Sequence, residues 1–277
     1  SVIYLSLILF GLLAMYFISS YTVKERDDTQ KMLFDEHETN LKKQINYDKE
    51  LVFTKRIYHT HHKAEKIMGF IKEDLRTLSA ENINDIKYRV SKYSNFISRV
   101  IYDMKWFDPP LQTIRNQMFH TNLNEVIKFI VENIFLRITS KSNVYEIKME
   151  TDPKLPLVPI NEFVVWEIIE PLIQNSIDHG GENNIVIKCK TKFDEQNNKS
   201  YIIIEDNGVG IKKELLSTNE NGIKNLFLEN VSTKETGLQN SGYGCYIAYE
   251  ISKRCGWDID AENIVEGGCR FTITISN

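Results

Sequence analysis

The sequence predicts an α+β protein: a two-helix hairpin that completes a four-helix bundle in a dimer, then a two-layer α/β sandwich, with a transmembrane helix in front. Residues 1–21, SVIYLSLILFGLLAMYFISSY, hold no charged side chain, and about 20 apolar residues is what a helix needs to cross a bilayer. Apolar residues then recur at steps of three and four in two runs between Ile57 and Met104, the second halted by Pro109 and Pro110. Beyond them helix-like and strand-like patterns alternate within one stretch, which suits helices layered on an at least partly antiparallel sheet.

The apolar run at 1–21 lacks the basic start and the small-residue cleavage site of a secretion signal, so it reads as a membrane anchor. Lys24, Arg26 and Lys31 follow it and set the remaining chain on the cytoplasmic side, which puts the protein at the inner (plasma) membrane. The chain begins at Ser1 rather than Met, so further N-terminal sequence is expected. Residues 22–50 are rich in charge and amide with scattered Met32, Leu33, Leu41 and Ile45 and no Gly or Pro, the texture of a helical or coiled-coil connector.

Residues 51–108 form the hairpin. Ile57, His61, Ala64, Met68, Ile71, Leu75 and Leu78 make the seam of its first helix, and SAENIND breaks the pattern. Ile83, Ile86, Val90, Tyr93, Ile97, Val100 or Ile101, and Met104 line the second helix. Each helix shows a single apolar stripe, so two copies are needed to bury both, which predicts a homodimer.

Residues 109–277 form the sandwich. NLNEVIKFIVENIFLRI reads as a helix, YEIKMETD as a strand, and INEFVVWEIIEPLIQNSIDHG as a helix ended by Gly180 and Gly181. NIVIKCKTKF and SYIIIEDNG are strands joined by DEQNNK; GYGCYIAYEISKRCG is a helix and CRFTITIS a closing strand.

Composition excludes several classes. The 277 residues are 42% apolar and 26% charged with a net charge of −4, which gives no general attraction to nucleic acid. Cys189, Cys245, Cys255 and Cys269 stand far apart with no CxxC pair, so neither a zinc site nor a disulfide framework is indicated. They read as reduced, mostly buried thiols.

The chemistry concentrates in three segments. In EPLIQNSIDHGG, Asn175 and Asp178 sit one turn apart on a helix, offering an amide oxygen and a carboxylate to one pocket; an amide oxygen suits a hard cation such as Mg2+ that shares phosphate oxygens. In IIIEDNGVGI an apolar strand runs into Asp206, Gly208 and Gly210: a carboxylate fixed at a strand end accepts a hydrogen bond from an exocyclic amine, and glycines let backbone approach a ligand. In NSGYGCYIAYEI, Gly242 and Gly244 precede a helix whose free amides suit phosphate.

In this order and spacing, QNSIDHG, DNGVG, IKNLFLENVSTK and GYG resemble the N, G1, F and G2 boxes of the GHKL ATP-binding domain in the form carried by sensor histidine kinases. The resemblance spans roughly residues 120 to 277, with the hairpin and membrane helix where that family has its phosphotransfer helices and anchor. It implies ATP and Mg2+ as cofactors, with Asn175 as the metal ligand and Asp206 reading the adenine amino group. Gly208 and Gly210 shape the pocket wall, and Phe227 packs the hinge of the lid. Lys234 of STK is a candidate γ-phosphate contact, and Gly242, Tyr243 and Gly244 cover the phosphates. NSIDHG looks more like the segment in chemotaxis-type kinases, which adds His179 to Asp178 as a candidate nucleotide-pocket residue. Where many relatives carry Glu or Asn four positions before the main asparagine, this chain has Pro171. Glu167 and Glu170 lie near but at other angles of the helix, which favours phosphoryl transfer over water activation.

YHTHHKAEKIMGF, residues 58–70, offers three candidate phosphoacceptors, His59, His61 and His62. In the family, core positions fall two, six, nine, thirteen and sixteen residues after the acceptor. From His62 these are Ala64, Met68, Ile71, Leu75 and Leu78, all apolar, whereas from His59 they include Glu65 and Lys72. His61 falls on the seam itself. Lys63 replaces the usual acid after the acceptor, and Glu65, about one turn from His61 and His62, is the candidate substitute carboxylate. The resemblance thus implies a kinase that phosphorylates His62 from Mg-ATP and passes the group to an aspartate on a response regulator's receiver domain. The alternatives are an ATP-binding pseudokinase, scaffold or phosphatase-type regulator, and an ATP-hydrolysing conformational machine.

Overall fold

The structure, a computed structural model, describes residues 2–104, 111–139, 145–180, 185–228 and 243–277, with side chains except at 2–8, 48–53, 55–56, 58–60 and 102–104. It divides into two compact units, Ser1–Thr77 and Leu78–Asn277.

The first unit is one helix, α1 (Val2–Arg76), which runs without a break through the segments read as anchor, connector and first hairpin helix. Among the described residues no helix is long and apolar enough to cross a membrane. The transmembrane helix expected at residues 1–21 finds no support there, and its first eight side chains lie outside the described set. Of the predicted seam, Met68 and Leu75 are 44% and 57% exposed.

The second unit opens with α2 (Ile83–Met104), entered through a bond from the Ser79 N–H to Asn82 Oδ1. After α3 (Leu111–Ile114), Asn122 caps α4 (Leu123–Ile130) by accepting from the Asn124 and Glu125 N–H groups. The helix read at 122–138 is interrupted by a π segment, Val131–Phe135, before its last turn α5 (Leu136–Thr139). Strand β1 (Tyr145–Glu150) precedes α6 (Glu162–His179), capped by Asn161 and carrying Pro171 inside it. Strands β2 (Ile185–Asp194) and β3 (Lys199–Asp206) follow. Short α7 (Lys213–Leu216) and the 3-10 turn Asn225–Phe227 lead to α8 (Tyr243–Cys255), β4 (Asp258–Asn263) and β5 (Cys269–Ser276). Helix α8 ends in a Schellman motif: Gly256, at φ +79°, donates to Lys253 O while Trp257 N donates to Ser252 O.

The strands form one sheet in the order β1-β2-β3-β5-β4, with β1 parallel to β2 and the other pairs antiparallel. Strand β4 is absent from the sequence reading, although Trp257, Ile259 and Ala261 alternate with Asp258, Asp260 and Glu262 in its segment. One face carries Ile187, Cys189, Ile202, Ile204, Phe271 and Ile273, all buried, and receives α6 and α8. The other face holds a cross-strand row of charge. Glu205 Oε1 accepts from Arg270 Nε at 2.6 Å, its Oε2 lies 2.9 Å from Lys190 Nζ, and Arg270 also reaches Glu262 at 2.9 Å.

Helix α2 lays its apolar stripe on the sandwich, with Ile86, Tyr93 and Val100 buried. Phe96, 1% exposed, stacks on Trp166 of α6 at 4.3 Å between ring centroids, Tyr93 meets Phe129 edge-on, and Lys92 pairs with Glu162. The Tyr93 hydroxyl donates to Asn133 O in the π segment, and Arg99 donates to Thr113 O. Ile83 and Ile101 stay 50% and 52% exposed. The sandwich thus covers most of the apolar stripe of α2 and leaves Ile83 and Ile101 at its edge.

Two outcomes follow from this packing. Phe96→Ala removes a buried ring from that stack and is expected to lower unfolding stability by about 3 kcal/mol in urea titrations; a loss under about 1 kcal/mol would show the stack to be dispensable. For Glu205, burial disfavours the charge, but Lys190 and Arg270 outweigh it and hold the carboxyl below its ordinary value. A lowered folded-state pKa stabilises the native protein above the unfolded value and is lost as pH falls through the folded one. Glu205→Gln should lower stability near neutral pH by about 1 kcal/mol and flatten the acid limb of the stability profile; an acid limb of unchanged slope refutes the pairing.

Candidate functional site

The site forms where the C-terminal half of α6 meets the ends of β3 and β5 and the first turn of α8. Asp206 ends β3 and is 7% exposed. Its Oδ1 accepts from the Gly208 N–H at 3.0 Å and the Cys269 N–H at 3.2 Å. Its Oδ2 accepts from Ser176 Oγ at 2.8 Å and Cys269 Sγ at 3.1 Å. On the neighbouring residue of α6, Asn175 Nδ2 donates to Cys245 Sγ at 3.0 Å, tying the helix to the start of α8. Two consecutive side chains of one helix thus reach the strand-end carboxylate and the following helix.

Glycines permit this closeness. Gly268 has φ +88°, and a Cβ there would overlap the Asp206 carbonyl. A Cβ on Gly208 would lie 2.8 Å from Gly180 Cα, so the G1 turn and the end of α6 touch through backbone. Gly244 packs over Pro171 and Asn175, its Cβ position 3.2 Å from Pro171 Cβ. The loop after Asp206 is pinned from β4: Asn263 accepts from Ile211 N at 2.7 Å and donates to Ile211 O at 2.8 Å.

Of the residues singled out in the sequence, Asn175, Asp206, Gly208, Gly210 and Gly244 converge here. Tyr243, half-buried, opens α8 with its ring 5.2 Å from that of Tyr246. Phe227, 2% exposed, stacks on Tyr249 of α8 at 5.2 Å. Asp178 and His179 are exposed at the end of α6, and Asp178 Oδ1 accepts from Gln174 of its own helix. Lys234 and Gly242 lie outside the described residues. Ser176 and Cys269 are site residues absent from the sequence reading; a serine beside Asn175, and a cysteine opening a strand after two glycines, are the signals that mark them. All four cysteines are free thiols, and burial pushes Cys189 and Cys255 up to about 12.

No cluster of three or more His, Cys, Asp or Glu able to hold a metal exists among the described residues. An amide oxygen such as that of Asn175 is a ligand type that suits Mg2+, which keeps waters and phosphate oxygens as its other ligands. In the first unit His61 and His62 are both exposed, 65% and 73% by side chain, and Glu65 stands 3.7 Å from Nδ1 of each. Exposure in one chain does not separate the two, and the His59 side chain lies outside the described residues.

The sequence-family model "Histidine kinase-, DNA gyrase B-, and HSP90-like ATPase" matches residues 161–277. No curated protein sequence matches the chain significantly. Among solved structures, the catalytic domain of histidine kinase ThkA is 26% identical over 57% of this chain and 93% of its own, with a TM-score of 0.47. Full-length ShkA in complex with AMPPNP is 14% identical over 81% of this chain and 45% of its own, TM-score 0.47. Acinetobacter baumannii histidine kinase AdeS is 16% identical over 78% and 97%, TM-score 0.41.

The backbone geometry around Asp206 is directly testable. Gly268→Ala should cost more than about 3 kcal/mol, because strain and overlap add, whereas Gly222→Ala, at φ +74° with open space around it, should cost only about 1 kcal/mol. Equal losses in denaturant titrations would show that left-handed backbone alone, and not contact with Asp206, constrains Gly268. The family match falls on the part of the chain where Asn175, Asp206, Gly208 and Gly244 converge: residues 161–277 are similar to the histidine kinase-, DNA gyrase B- and HSP90-like ATPases.

Proposed function

We propose that the chain is a homodimeric, membrane-anchored sensor histidine kinase that moves the γ-phosphoryl group of Mg-ATP to His62 and then to an aspartate on a response regulator. The observation that carries this reading is the buried Asp206 carboxylate, presented at a strand end beside Asn175 and the N-terminus of α8. A carboxylate there reads an exocyclic amine, an amide oxygen takes Mg2+, and helix amides take phosphate. Mg2+ supplies charge neutralisation on the phosphates when bound.

In the transfer step His62 Nε2 forms a bond to the γ-phosphorus as the bond to the β,γ-bridging oxygen breaks and ADP leaves. Glu65, 3.7 Å from His62 Nδ1, is within a side-chain rotation of accepting the Nδ1 proton, which leaves Nε2 as the nucleophile. Lys63 beside it offers positive charge to the phosphoryl oxygens. Met68 and Leu75, exposed in the single chain, support pairing with a second copy. Leu9, Phe10, Leu12, Met15, Phe17 and Ile18 are 61–73% exposed around α1, and an apolar surface on every side of a helix supports insertion into lipid. Lys24, Arg26 and Lys31 support a cytoplasmic catalytic portion at the plasma membrane.

Incubation with γ-labelled ATP is expected to give an acid-labile, base-stable phosphoprotein that disappears in His62→Ala. Label that survives this change and vanishes in His59→Ala or His61→Ala would reassign the acceptor. Nucleotide binding without any phosphohistidine would favour the scaffold or pseudokinase reading, in which Lys63 marks a lost acid.

A further inference from the structure

A primary amide has one end that ligates a cation and one that repels it: the oxygen offers lone pairs, the NH2 group only hydrogens. Half a turn of the Asn175 amide exchanges the two ends with almost no change of shape, so packing alone does not choose between them. Gly244 makes no choice either: a Cβ placed there would lie 3.6 Å from Nδ2 and 3.6 Å from Oδ1, so the backbone over the amide meets both ends alike. The contact that distinguishes them is chemical. Nδ2 donates to Cys245 Sγ at 3.0 Å, and that sulfur belongs to the first turn of α8. The backbone that carries the amide is held as well, since Leu172 and Ile173 are fully buried and the next residue, Ser176, is bonded to Asp206 Oδ2.

We propose that Cys245 is a positioning residue for the cation: its sulfur holds the NH2 end of the Asn175 amide and so leaves Oδ1 as the end available to Mg2+. The inference rests on the reading of Asn175 as a ligand of Mg2+ in an ATP-binding site. Without that acceptor both orientations of the amide are populated, and the cation has to select one of them. Sulfur is a weak acceptor, so the amide is biased and not locked. A serine hydroxyl at the same place accepts the same N–H, whereas a methyl group accepts nothing. Because Cys245 belongs to the helix whose first amides suit phosphate, one contact ties the cation ligand to the phosphate-binding turn.

Affinity for a non-hydrolysable ATP analogue is measured by calorimetry on the full chain, in saturating Mg2+ and in EDTA, for the parent, Cys245→Ala, Cys245→Val and Cys245→Ser. The gain in affinity that Mg2+ gives should fall about threefold to fivefold in Cys245→Ala and in the similar-sized Cys245→Val, and stay within about twofold of the parent in Cys245→Ser. Affinity in EDTA should be nearly unchanged in all three. An undiminished Mg2+ gain in Cys245→Ala, equal losses with and without Mg2+, or a Cys245→Ser chain that behaves like Cys245→Ala would overturn the assignment and leave Cys245 a packing residue. A parent chain that binds the analogue no better with Mg2+ would overturn the metal role of Asn175 itself, and one that binds no analogue at all would remove the nucleotide reading, and this inference with it.

Discussion

A carboxylate withdrawn from water has to be solvated by the protein that buries it, and the site of this molecule is organised by that requirement at Asp206. Its donors come from three places distant in sequence: α6 through Ser176, the turn after β3 through Gly208, and the start of β5 through Cys269. Each bond fixes a spacing. Ser176 sets the height of α6 over the sheet, the Gly208 N–H sets the curl of the turn, and Cys269 brings β5 so close that only glycine fits at 268. The glycines of the G1 segment thus serve the carboxylate before they serve any ligand.

Helix α6 carries the second half of the arrangement. Ile168, Ile169, Leu172 and Ile173 are fully buried, so the helix cannot rotate, and Asn175 and Ser176 inherit fixed directions from that core. Pro171 forgoes one intrahelical hydrogen bond, a cost tolerated because the ring is buried and Gly244 rests against it. The position packs against the start of α8.

Much of this was legible in the sequence, for physical reasons that differ by element. Helix α6 was readable because Asn161 and Gly180 bracket an apolar run, and β3 because three isoleucines lead into Asp-Asn-Gly. Strand β4 was not, because four acidic or amide residues in six mask its alternation; only pairing with β5 makes Ile259 and Ala261 inward-facing. The π segment at Val131–Phe135 leaves no mark on a periodicity of three and four, since the extra residue is absorbed by Tyr93 bonding to the Asn133 carbonyl from another helix. Ser176 and Cys269 were missed because a hydroxyl and a thiol acquire meaning only once a buried carboxylate stands beside them.

The division of the chain follows from where α2 finds its partners. By periodicity α2 belongs with α1, and the two read together as residues 51–108 of a phosphotransfer hairpin. In the folded chain Lys92, Tyr93 and Phe96 engage Glu162, Asn133, Phe129 and Trp166, and the boundary between compact units falls at Thr77, ahead of α2. Helix α2 is anchored on the sandwich and keeps Ile83 and Ile101 uncovered. Any displacement of α6 would therefore be felt by α2 directly, through the Phe96–Trp166 stack.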